Sequence, residues 1–228
     1  NIKNAQKKMR NINFFLKIID DNSKLNVIKL QKKIANQNNI SFEITNLNID
    51  KYKNKMKFSN RKRMLAHNSH IYQSKEFALN SNYDLIYFVE DDYLHHHDAI
   101  EEMIFSYEKF STIYKKDIIM CPADYPFLYN KFEPTNILAG HKKHWRRVNE
   151  SLCTYLISHK ILKKNWKTYE KMFLNNFDPY EKPLHSLYKK THCFSPIPSL
   201  SLHMTNVNSA YGLSPMVDWL DVWKKNKY

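Results

Sequence analysis

The amino-acid sequence predicts an α/β fold with a mostly parallel sheet flanked by helices. Segments typical of strands alternate with segments typical of helices, which is the pattern of this fold class. Residues 85–89 form an uninterrupted apolar run, as expected for a strand that is buried on both faces. The chain has 228 residues, of which 43% are hydrophobic, so it can bury a substantial core.

Strands are predicted where short apolar runs end at acidic, polar or turn-forming residues. These runs cover residues 13–19, 40–45, 85–89, 117–122, 151–158 and 199–203. Helices are predicted where apolar residues recur at three- and four-residue spacing. The predicted helices are one after Ser23 with Val27, Leu30 and Ile34 inward, residues 60–79, one after Asp98 with Ile100, Ile104, Tyr107 and Tyr114 inward, and residues 159–173.

Polar residues at the predicted helix starts suggest how two of these helices are capped. Asn22 or Ser23 is expected to cap the first helix through its side-chain oxygen. Asp98 and Glu101 have the spacing of a capping box, in which each side chain accepts a hydrogen bond from a backbone N–H of the first turn.

Other segments have no clear period. Residues 49–58 are predicted to be a Lys-rich loop, and residues 175–190 a polar stretch that contains prolines. Residues 123–150 are rich in proline, aromatic and basic residues, and a loop of this length in a compact domain is usually functional. The segment 204–228 is expected to pack as a short helix or arm. Because no internal repeat or linker is visible, we expect a single domain over residues 1–228.

The formal net charge of +14 has two interpretations. Abundant Lys, Asn and Ile with only two glycines are typical of an AT-rich genome, in which case the lysines simply solvate the surface. Alternatively, the charge attracts anionic partners such as nucleotides, phospholipid surfaces, acidic glycans or nucleic acid. No basic cluster with interleaved aromatic residues stands out, so no specific nucleic-acid partner is expected.

The cysteine pattern and the hydropathy predict a cytoplasmic protein. Cys121, Cys153 and Cys193 lack metal-site spacing and are odd in number, which favours reduced thiols. No stretch approaches the roughly 18 apolar residues of a membrane span, and no signal peptide is visible. Peripheral contact with the anionic inner face of the membrane stays open.

Three adjacent acids, Glu90, Asp91 and Asp92, follow the apolar run 85–89. Adjacent carboxylates repel one another and gain little from burial, whereas open α/β sheets bind ligands at the carboxyl ends of their strands. Hard oxygen ligands suit Mg²⁺ or Mn²⁺, usually shared with a phosphate. The alternative is a solvated acidic turn before a helix.

Two further polar features follow predicted strands, the sequence Asp-Asp-Asn-Ser at residues 20–23 and His203. In a parallel sheet these strand ends are expected to meet at one edge. Along the chain, a predicted strand is followed by DDNS and a helix, then by a basic helix forty residues on, and then by a second strand, EDD and a helix. This order resembles the nucleotide-sugar domain of family 2 glycosyltransferases. The resemblance covers residues 14–203, and EDD stands in the place of the family's DXD-type metal motif.

The resemblance implies a Rossmann-like GT-A fold. Residues 12–122 would bind the donor, and residues 123–228 the acceptor. The implied reaction is inverting transfer of a sugar from a nucleotide-diphosphate sugar to a glycan, lipid-linked or protein acceptor, as in polysaccharide biosynthesis, with Mn²⁺ or Mg²⁺. In one departure from the family, only twelve residues precede Asn13, so the family's first strand is not expected in this sequence: either the chain is a fragment or the sheet differs. Glycines common in the family's loops are also missing.

The resemblance also implies roles for individual residues. Asp92, Asp91 and His203 would bind the metal, although a strand-end histidine is often merely structural. Asp21 or Asp20 would accept a hydrogen bond from the nucleotide base, or simply cap the helix. The donor site as a whole would comprise Asp20, Asp21, Ser23, Arg61, Arg63 and Asp91. Arg61 and Arg63 suit the donor phosphates, unless they are solvated surface residues. The run of three histidines at 95–97 is expected to form an exposed turn, with contact to the metal or the substrate as the alternative.

An inverting transfer needs a general base for the acceptor hydroxyl. Asp178 and Glu181 lie between the helix 159–173 and His203, where the family places its base, and nearby prolines would restrict them. Glu150 ranks below them, because it starts the predicted strand 151–158 and would lie at the edge away from the metal in a parallel sheet.

The segment 123–150 is expected to form the acceptor side of the cleft and to be mobile without ligands. Its aromatic residues offer stacking faces for sugar rings, and its basic residues suit an anionic acceptor: Tyr125, Phe127, Tyr129 and Trp145, with Lys142, Lys143, Arg146 and Arg147. The alternative is a basic surface loop packed by its own aromatics.

Two other functions stay open. In nucleotidyltransferases, too, strands are followed by paired acids. Such an enzyme would show a Gly-rich basic phosphate loop after the first strand, and none is visible in this sequence. The other is a non-catalytic domain with a degenerate GT-A scaffold. It would bind anions or nucleic acid through its positive net charge, and EDD would have no function in it.

Overall fold

The α/β prediction is confirmed by the computed structural model, which describes residues 1–56, 62–130, 132–174, 179–205 and 207–226. Lys62, Arg63 and Leu174 are described by their backbone alone. The strands are β1 (Phe15–Asp20), β2 (Ser41–Asn46), β3 (Leu85–Phe88), β4 (Tyr93–His95), β5 (Ile119–Met120), β6 (Ile137–Ala139), β7 (His144–Val148), β8 (Tyr155–Ser158), β9 (Cys193–Ile197) and β10 (Ser201–His203). The helices are α1 (Ile2–Lys8), α2 (Leu25–Gln37), α3 (Ile49–Lys53), α4 (Lys62–Leu79), α5 (Ala99–Tyr114), α6 (His159–Lys164), α7 (Trp166–Leu174), α8 (Lys182–Thr191) and α9 (Trp219–Lys225), with a 3-10 helix at Pro126–Tyr129.

The chain packs into two compact units. The larger unit comprises residue 1 and residues 83–164 and 184–228, and the smaller unit comprises residues 2–82 and 165–183. The prediction of one catalytic domain with a donor half and an acceptor half stays a prediction. No helix among the described residues is both long enough and apolar enough to cross a membrane.

The main sheet of the larger unit is largely antiparallel, so the prediction of a mostly parallel sheet is wrong. Its strand order is β3-β8-β5-β9-β7-β6. Only β5 and β9 pair in parallel, while β3–β8, β5–β8, β7–β9 and β6–β7 are antiparallel. The strands β3, β5 and β9 do run in one direction, but β8 is inserted between β3 and β5 in the opposite direction. An apolar run reports burial and not strand direction, which is why the sequence did not reveal this reversal.

A core forms where α5 packs against this sheet. Ala99, Met103, Tyr107 and Phe110 recur along α5 and are buried, as are Met120, Leu156 and Phe194 of the sheet. Burial of each large apolar side chain contributes about 1.5–3 kcal/mol. Asp98 occupies the N-cap position of α5 without a side-chain capping bond. The predicted capping box is therefore wrong, and Glu101 instead accepts a hydrogen bond from the Nζ of Lys142 at 3.0 Å.

The segment 123–150 is structured, so its prediction as an irregular loop is wrong. It contains the 3-10 helix and the hairpin of β6 and β7, whose register pairs Leu138 with Trp145. The turn of this hairpin is bound by Glu102 of α5, which is 1% exposed. The Glu102 carboxylate accepts hydrogen bonds from the backbone N–H groups of His141, Lys142 and Lys143, at 3.2, 2.7 and 3.3 Å.

In the smaller unit, β1 and β2 pair in parallel, as predicted. Three details of this unit differ from the prediction. Lys24 occupies the N-cap position of α2 without a side-chain capping bond, so neither Asn22 nor Ser23 caps the helix. Val27 and Leu30 are exposed, while Ala35 is buried. The predicted loop 49–58 contains the helix α3, and its last two residues lie outside the described part of the chain.

Two later segments also differ from the prediction. The predicted helix 159–173 is two helices, α6 and α7, with Asn165 between them. Of the stretch 175–190, residues 175–178 lie outside the described part of the chain, and residues 182–190 belong to α8, which buries Leu184, Leu187 and Tyr188. The predicted short helix in the tail is confirmed as α9.

Candidate functional site

The three acids form a turn that connects β3 to β4. Asp91 is exposed, while Glu90 and Asp92 are partly buried. The antiparallel pairing of β8 with β3 sets Tyr155 opposite Phe88. The preceding residue, Thr154, therefore lies beside the turn: its Oγ1 accepts the backbone N–H of Glu90 at 3.1 Å and donates to Glu90 Oε2 at 3.5 Å. Thr154 thus fixes the start of the acidic turn.

Asp92 and His203 lie side by side, as predicted, although they are far apart in sequence. The short antiparallel pair of β4 and β10 brings them together, with Tyr93 opposite His203. The Nε2 atom of His203 is 3.0 Å from Oδ2 of Asp92. The hydroxyl of Thr205 donates to the same Oδ2 at 2.6 Å, and the backbone N–H of Met204 donates to the Asp92 carbonyl at 2.8 Å.

The hydrogen-bond partners of His203 favour its protonated form. Its Nδ1 is 2.8 Å from the carbonyl oxygen of Tyr211, which can only accept. Its Nε2 faces the Asp92 carboxylate, which also accepts. Both ring nitrogens therefore face acceptors, an arrangement that favours the protonated imidazole. The hydrogen bond between the two side chains raises the pKa of His203 and lowers the pKa of Asp92.

These two pKa shifts give the pair a defined pH window. The contribution of His203 to stability is present below its unfolded pKa of about 6.5 and is lost as the pH rises through its raised folded pKa. The contribution of Asp92 is present above its unfolded pKa of about 3.9 and is lost as the pH falls through its lowered folded pKa. The pair is therefore most stabilising between about pH 4 and 6.5.

One carboxylate oxygen of Asp92, Oδ1, is buried and has no hydrogen-bond partner among the residues that the structure describes. A buried oxygen without a partner is unfavourable unless another ligand completes it. Asp92 and His203 offer one oxygen and one nitrogen ligand, a donor set that suits a divalent cation whose other ligands are phosphate oxygens and water. The described residues contain no group of three or more His, Cys, Asp or Glu side chains arranged for a metal. The pair is thus compatible with a cation shared with a ligand.

The predicted nucleotide-binding residues lie in the smaller unit. Oδ2 of Asp20 accepts the backbone N–H of Ser23 at 3.0 Å, and Asp20 is buried. Asp21 is exposed, and Asn22 Nδ2 donates to its Oδ1 at 3.3 Å. Because the carboxylate of Asp20 is engaged in its own turn, Asp21 is the better placed of the two for an external ligand. Arg61 lies outside the described residues, and of Arg63 only the backbone, within α4, is described.

The three predicted base residues have different surroundings. Asp178 lies outside the described residues, and Glu181 lies in the turn before α8, in the smaller unit. Glu150 follows β7 and lines a pocket of about 210 Å³ together with Arg146 and Arg147. The strand β8 begins at Tyr155, not at residue 151, and runs antiparallel to β3. Glu150 was ranked last because a parallel strand starting there would place it away from the metal, and this reason is wrong.

Most of the predicted stacking residues are part of the core. Tyr125, Phe127 and Trp145 are buried, so they offer no face to a sugar, and only Tyr129 is exposed. The guanidinium of Arg146 lies over the Tyr129 ring and donates to Asp124, which is fully buried. Burial raises the pKa of Asp124. The Arg146 guanidinium therefore binds groups within the protein and is not a solvated cation that could bind an anionic sugar acceptor.

The histidine run 95–97 is only partly a turn. His95 belongs to β4, and its Nε2 is 2.5 Å from the hydroxyl of Tyr87. Burial lowers the pKa of His95 to about 4, so this side chain is neutral at physiological pH. His97 is exposed, as expected for a turn.

Sequence reasoning missed Thr154, Thr205 and the carbonyl of Tyr211, which position the acidic turn and the imidazole. Thr205 follows His203 by two residues, so alternation along an extended segment offered a weak signal for it. The position of Thr154 depends on strand direction and offered none. The sequence matches no family model and no curated protein.

Proposed function

We propose that the protein is a metal-dependent glycosyltransferase of the GT-A type. It would transfer a sugar with inversion from a nucleotide-diphosphate sugar to a glycan, lipid-linked or protein acceptor. The observation that carries this proposal is the Asp92–His203 pair at the end of the acidic turn, in which the buried Oδ1 of Asp92 accepts no hydrogen bond from the described part of the chain. The order of the DDNS and EDD segments along the chain supports it.

Asp92 and His203 would hold Mn²⁺ or Mg²⁺, with Asp91 close by on the exposed side of the turn. When bound, the cation would supply positive charge next to the diphosphate that leaves with the nucleotide. The protein residues prepare this arrangement. Thr205 occupies one oxygen of Asp92 and leaves the other open. The bond to the Tyr211 carbonyl keeps a proton on Nδ1 of His203, so Nε2 is the nitrogen that becomes a ligand on deprotonation.

The other proposed roles depend on residue chemistry. The exposed carboxylate of Asp21 can accept a hydrogen bond from a nucleotide base. Arg61 and Arg63 would contact donor phosphates. One carboxylate must remove the proton of the acceptor hydroxyl as it attacks the anomeric carbon, and Asp178 and Glu181 are the proposed candidates, followed by Glu150.

Binding of labelled UDP-sugars and GDP-sugars, with and without Mn²⁺, tests the proposal. We expect binding of one donor class that requires the cation. Binding of nucleoside triphosphates in preference to both diphosphate sugars would favour a nucleotidyltransferase. Binding of polyanions of any kind, without a need for Mn²⁺, would favour a non-catalytic anion-binding domain. Either of these results would overturn the glycosyltransferase proposal.

A further inference from the structure

Three basic side chains meet at the edge of the main sheet where β9 begins. His192 lies directly before β9, Lys116 lies just after α5, and Arg147 lies in β7. The pairing of Val148 with Cys193 places Arg147 and His192 next to this pair on neighbouring strands. Nζ of Lys116 is 3.0 Å from Nε2 of His192. We call Lys116, Arg147 and His192 the cationic corner.

The hydrogen bonds of the cationic corner leave donors without acceptors. The ammonium group of Lys116 can only donate, so Nε2 of His192 is the acceptor and Nδ1 carries the ring proton. This Nδ1 is buried and has no hydrogen-bond partner among the described residues, and the same is true of Nε of Arg147. Nη2 of Arg147 donates to the carbonyl of Lys189 at 3.1 Å. Such an excess of donors is expected where a ligand with several acceptor atoms completes the hydrogen bonding.

The positive charge in and around the cationic corner is not balanced by carboxylates. Five cations form no ion pair with a carboxylate in the described part of the chain: Lys115, Lys116, Arg147, Lys189 and Lys190. Asp117 follows Lys116 in the sequence, but its carboxylate accepts a hydrogen bond from the hydroxyl of Tyr107 at 3.0 Å. Burial lowers the pKa of His192, and the charges of Arg147 and Lys116 lower it further. Positive groups this close together repel one another, and a bound anion relieves the repulsion.

Helix ends explain only part of this arrangement. Positive side chains are favourable at helix C-termini, and Arg147 does bind the last turn of α8 through the carbonyl of Lys189. Lys116 follows the C-terminal end of α5, yet its ammonium group donates to an imidazole instead of a carbonyl or a carboxylate. A neutral imidazole offers an ammonium group no opposite charge. The cationic corner therefore holds positive charge that the two helix ends do not use.

We propose that the cationic corner binds a phosphate group. Lys116 and Arg147 supply two positive charges, which match a phosphate dianion, and the oxygens of phosphate can accept hydrogen bonds from donors on different elements at once. A carboxylate has a single charge and two oxygens, so it matches the corner less well. Lys116 is exposed, and Arg147 and His192 are partly buried, so a small anion can approach from solvent.

The cationic corner is separate from the candidate metal site. The strands β3 and β9 run in the same direction. The acidic turn follows the end of β3, whereas His192 precedes the start of β9. The two sites therefore lie at opposite edges of the main sheet. A phosphate group in the cationic corner is thus not the diphosphate of the proposed sugar donor, and this proposal does not depend on that function.

Calorimetric titration of the full chain with inorganic phosphate tests the site, at slightly alkaline pH and without a divalent cation. Lys116→Gln and Arg147→Gln should each weaken phosphate binding about tenfold or more, because each removes a charged hydrogen-bond donor. Acetate should bind about tenfold more weakly than phosphate. The pKa of His192, followed by NMR of its ring protons, should rise when phosphate is bound, because the anion offsets the charges of Lys116 and Arg147. Glycerol 3-phosphate is titrated in parallel: tighter binding than inorganic phosphate assigns the site to a phosphate ester, and equal or weaker binding assigns it to free phosphate.

The control is Lys163→Gln, which removes the same charge from an exposed position of α6 in the same unit. It should bind phosphate as the unmodified chain does. Because Lys116 is exposed, Lys116→Gln keeps the test valid even if Arg147→Gln fails to fold. Absence of phosphate binding overturns the proposal, as does an equal loss in Lys116→Gln and Lys163→Gln. Acetate that binds as tightly as phosphate, or a pKa of His192 that phosphate leaves unchanged, also overturns it.

Discussion

Replacement of Glu102 by alanine should destabilise the larger unit, because this α5 side chain binds the turn of the β6–β7 hairpin. The Glu102 carboxylate is buried and accepts five hydrogen bonds. Three come from the backbone of the β6–β7 turn, as described above. The other two come from the indole Nε1 of Trp145 at 3.0 Å and the hydroxyl of Ser106 at 2.9 Å. In Glu102→Ala four of these donors lose the acceptor described here, while the backbone N–H of His141 keeps its hydrogen bond to Ser106 Oγ at 3.0 Å.

The magnitude follows from which donors water can reach. His141 and Lys142 are exposed, so their backbone N–H groups can be rehydrated. Trp145 and Ser106 are fully buried, and each unsatisfied donor costs about 1–3 kcal/mol. With the small cavity left by the side chain, we expect a loss of about 3–5 kcal/mol in the free energy of unfolding.

Denaturant unfolding followed by tryptophan fluorescence, together with amide hydrogen exchange at residues 141–143, measures this effect. The neighbouring Glu101→Ala is a matched control, since Glu101 is also buried. Glu101 pairs with the side chains of Lys142 and His141, which are 43 and 37% exposed. Because water can reach both partners in the variant, we expect a loss of about 1 kcal/mol or less. If both variants lost the same stability, or if exchange at the turn stayed slow in Glu102→Ala, the anchoring role of Glu102 would be refuted.

Three further predictions concern the hairpin, the imidazole and the base. Gly140→Ala should cost about 1–3 kcal/mol in thermal or denaturant unfolding, because a Cβ there would lie 2.4 Å from Trp145 Nε1, and an unchanged stability would contradict the close approach. The apparent affinity for Mn²⁺ should fall about tenfold per pH unit below the raised pKa of His203, because the proton on Nε2 must leave before the cation binds. Calorimetry in buffers of different ionisation enthalpy will measure this proton release. A pH-independent affinity would exclude His203 as a ligand. If turnover is detected, Asp178→Asn or Glu181→Gln should lower kcat by roughly 10²–10⁴-fold with donor binding little changed, whereas normal turnover in both would shift the assignment to Glu150.

The sequence predicted those parts of the fold that depend on local apolar pattern. The runs that became β1, β2, β3 and β8 were found, because burial leaves a short-range pattern in the chain. The meeting of Asp92 with His203 was also predicted, although the prediction relied on parallel strands, and the structure achieves it through the antiparallel pair of β4 and β10.

The remainder depends on long-range contacts that a sequence does not display. Glu102 lies in the first turn of α5 and binds a turn some forty residues later. In the sequence, such a carboxylate cannot be distinguished from a solvated acid or a helix cap. Likewise, the neighbours of Trp145 in the sequence are histidines, lysines and arginines, and for this reason a strand with a buried tryptophan was predicted as a basic loop. Strand direction is not encoded in apolar runs, so the place of Thr154 beside Glu90 could not be foreseen.

The central claim, that Asp92 and His203 bind a divalent cation with a nucleotide, is tested most directly by calorimetric titration of UDP and GDP in the presence of Mn²⁺. Asp92→Asn should abolish this binding and keep the fold, because it removes a charged ligand but relieves repulsion with Glu90 and Asp91. Asp84→Asn, which removes the same charge from an exposed position before β3, is the control and should bind normally. Equal affinities of Asp92→Asn and the unmodified protein would contradict the assignment of the metal site.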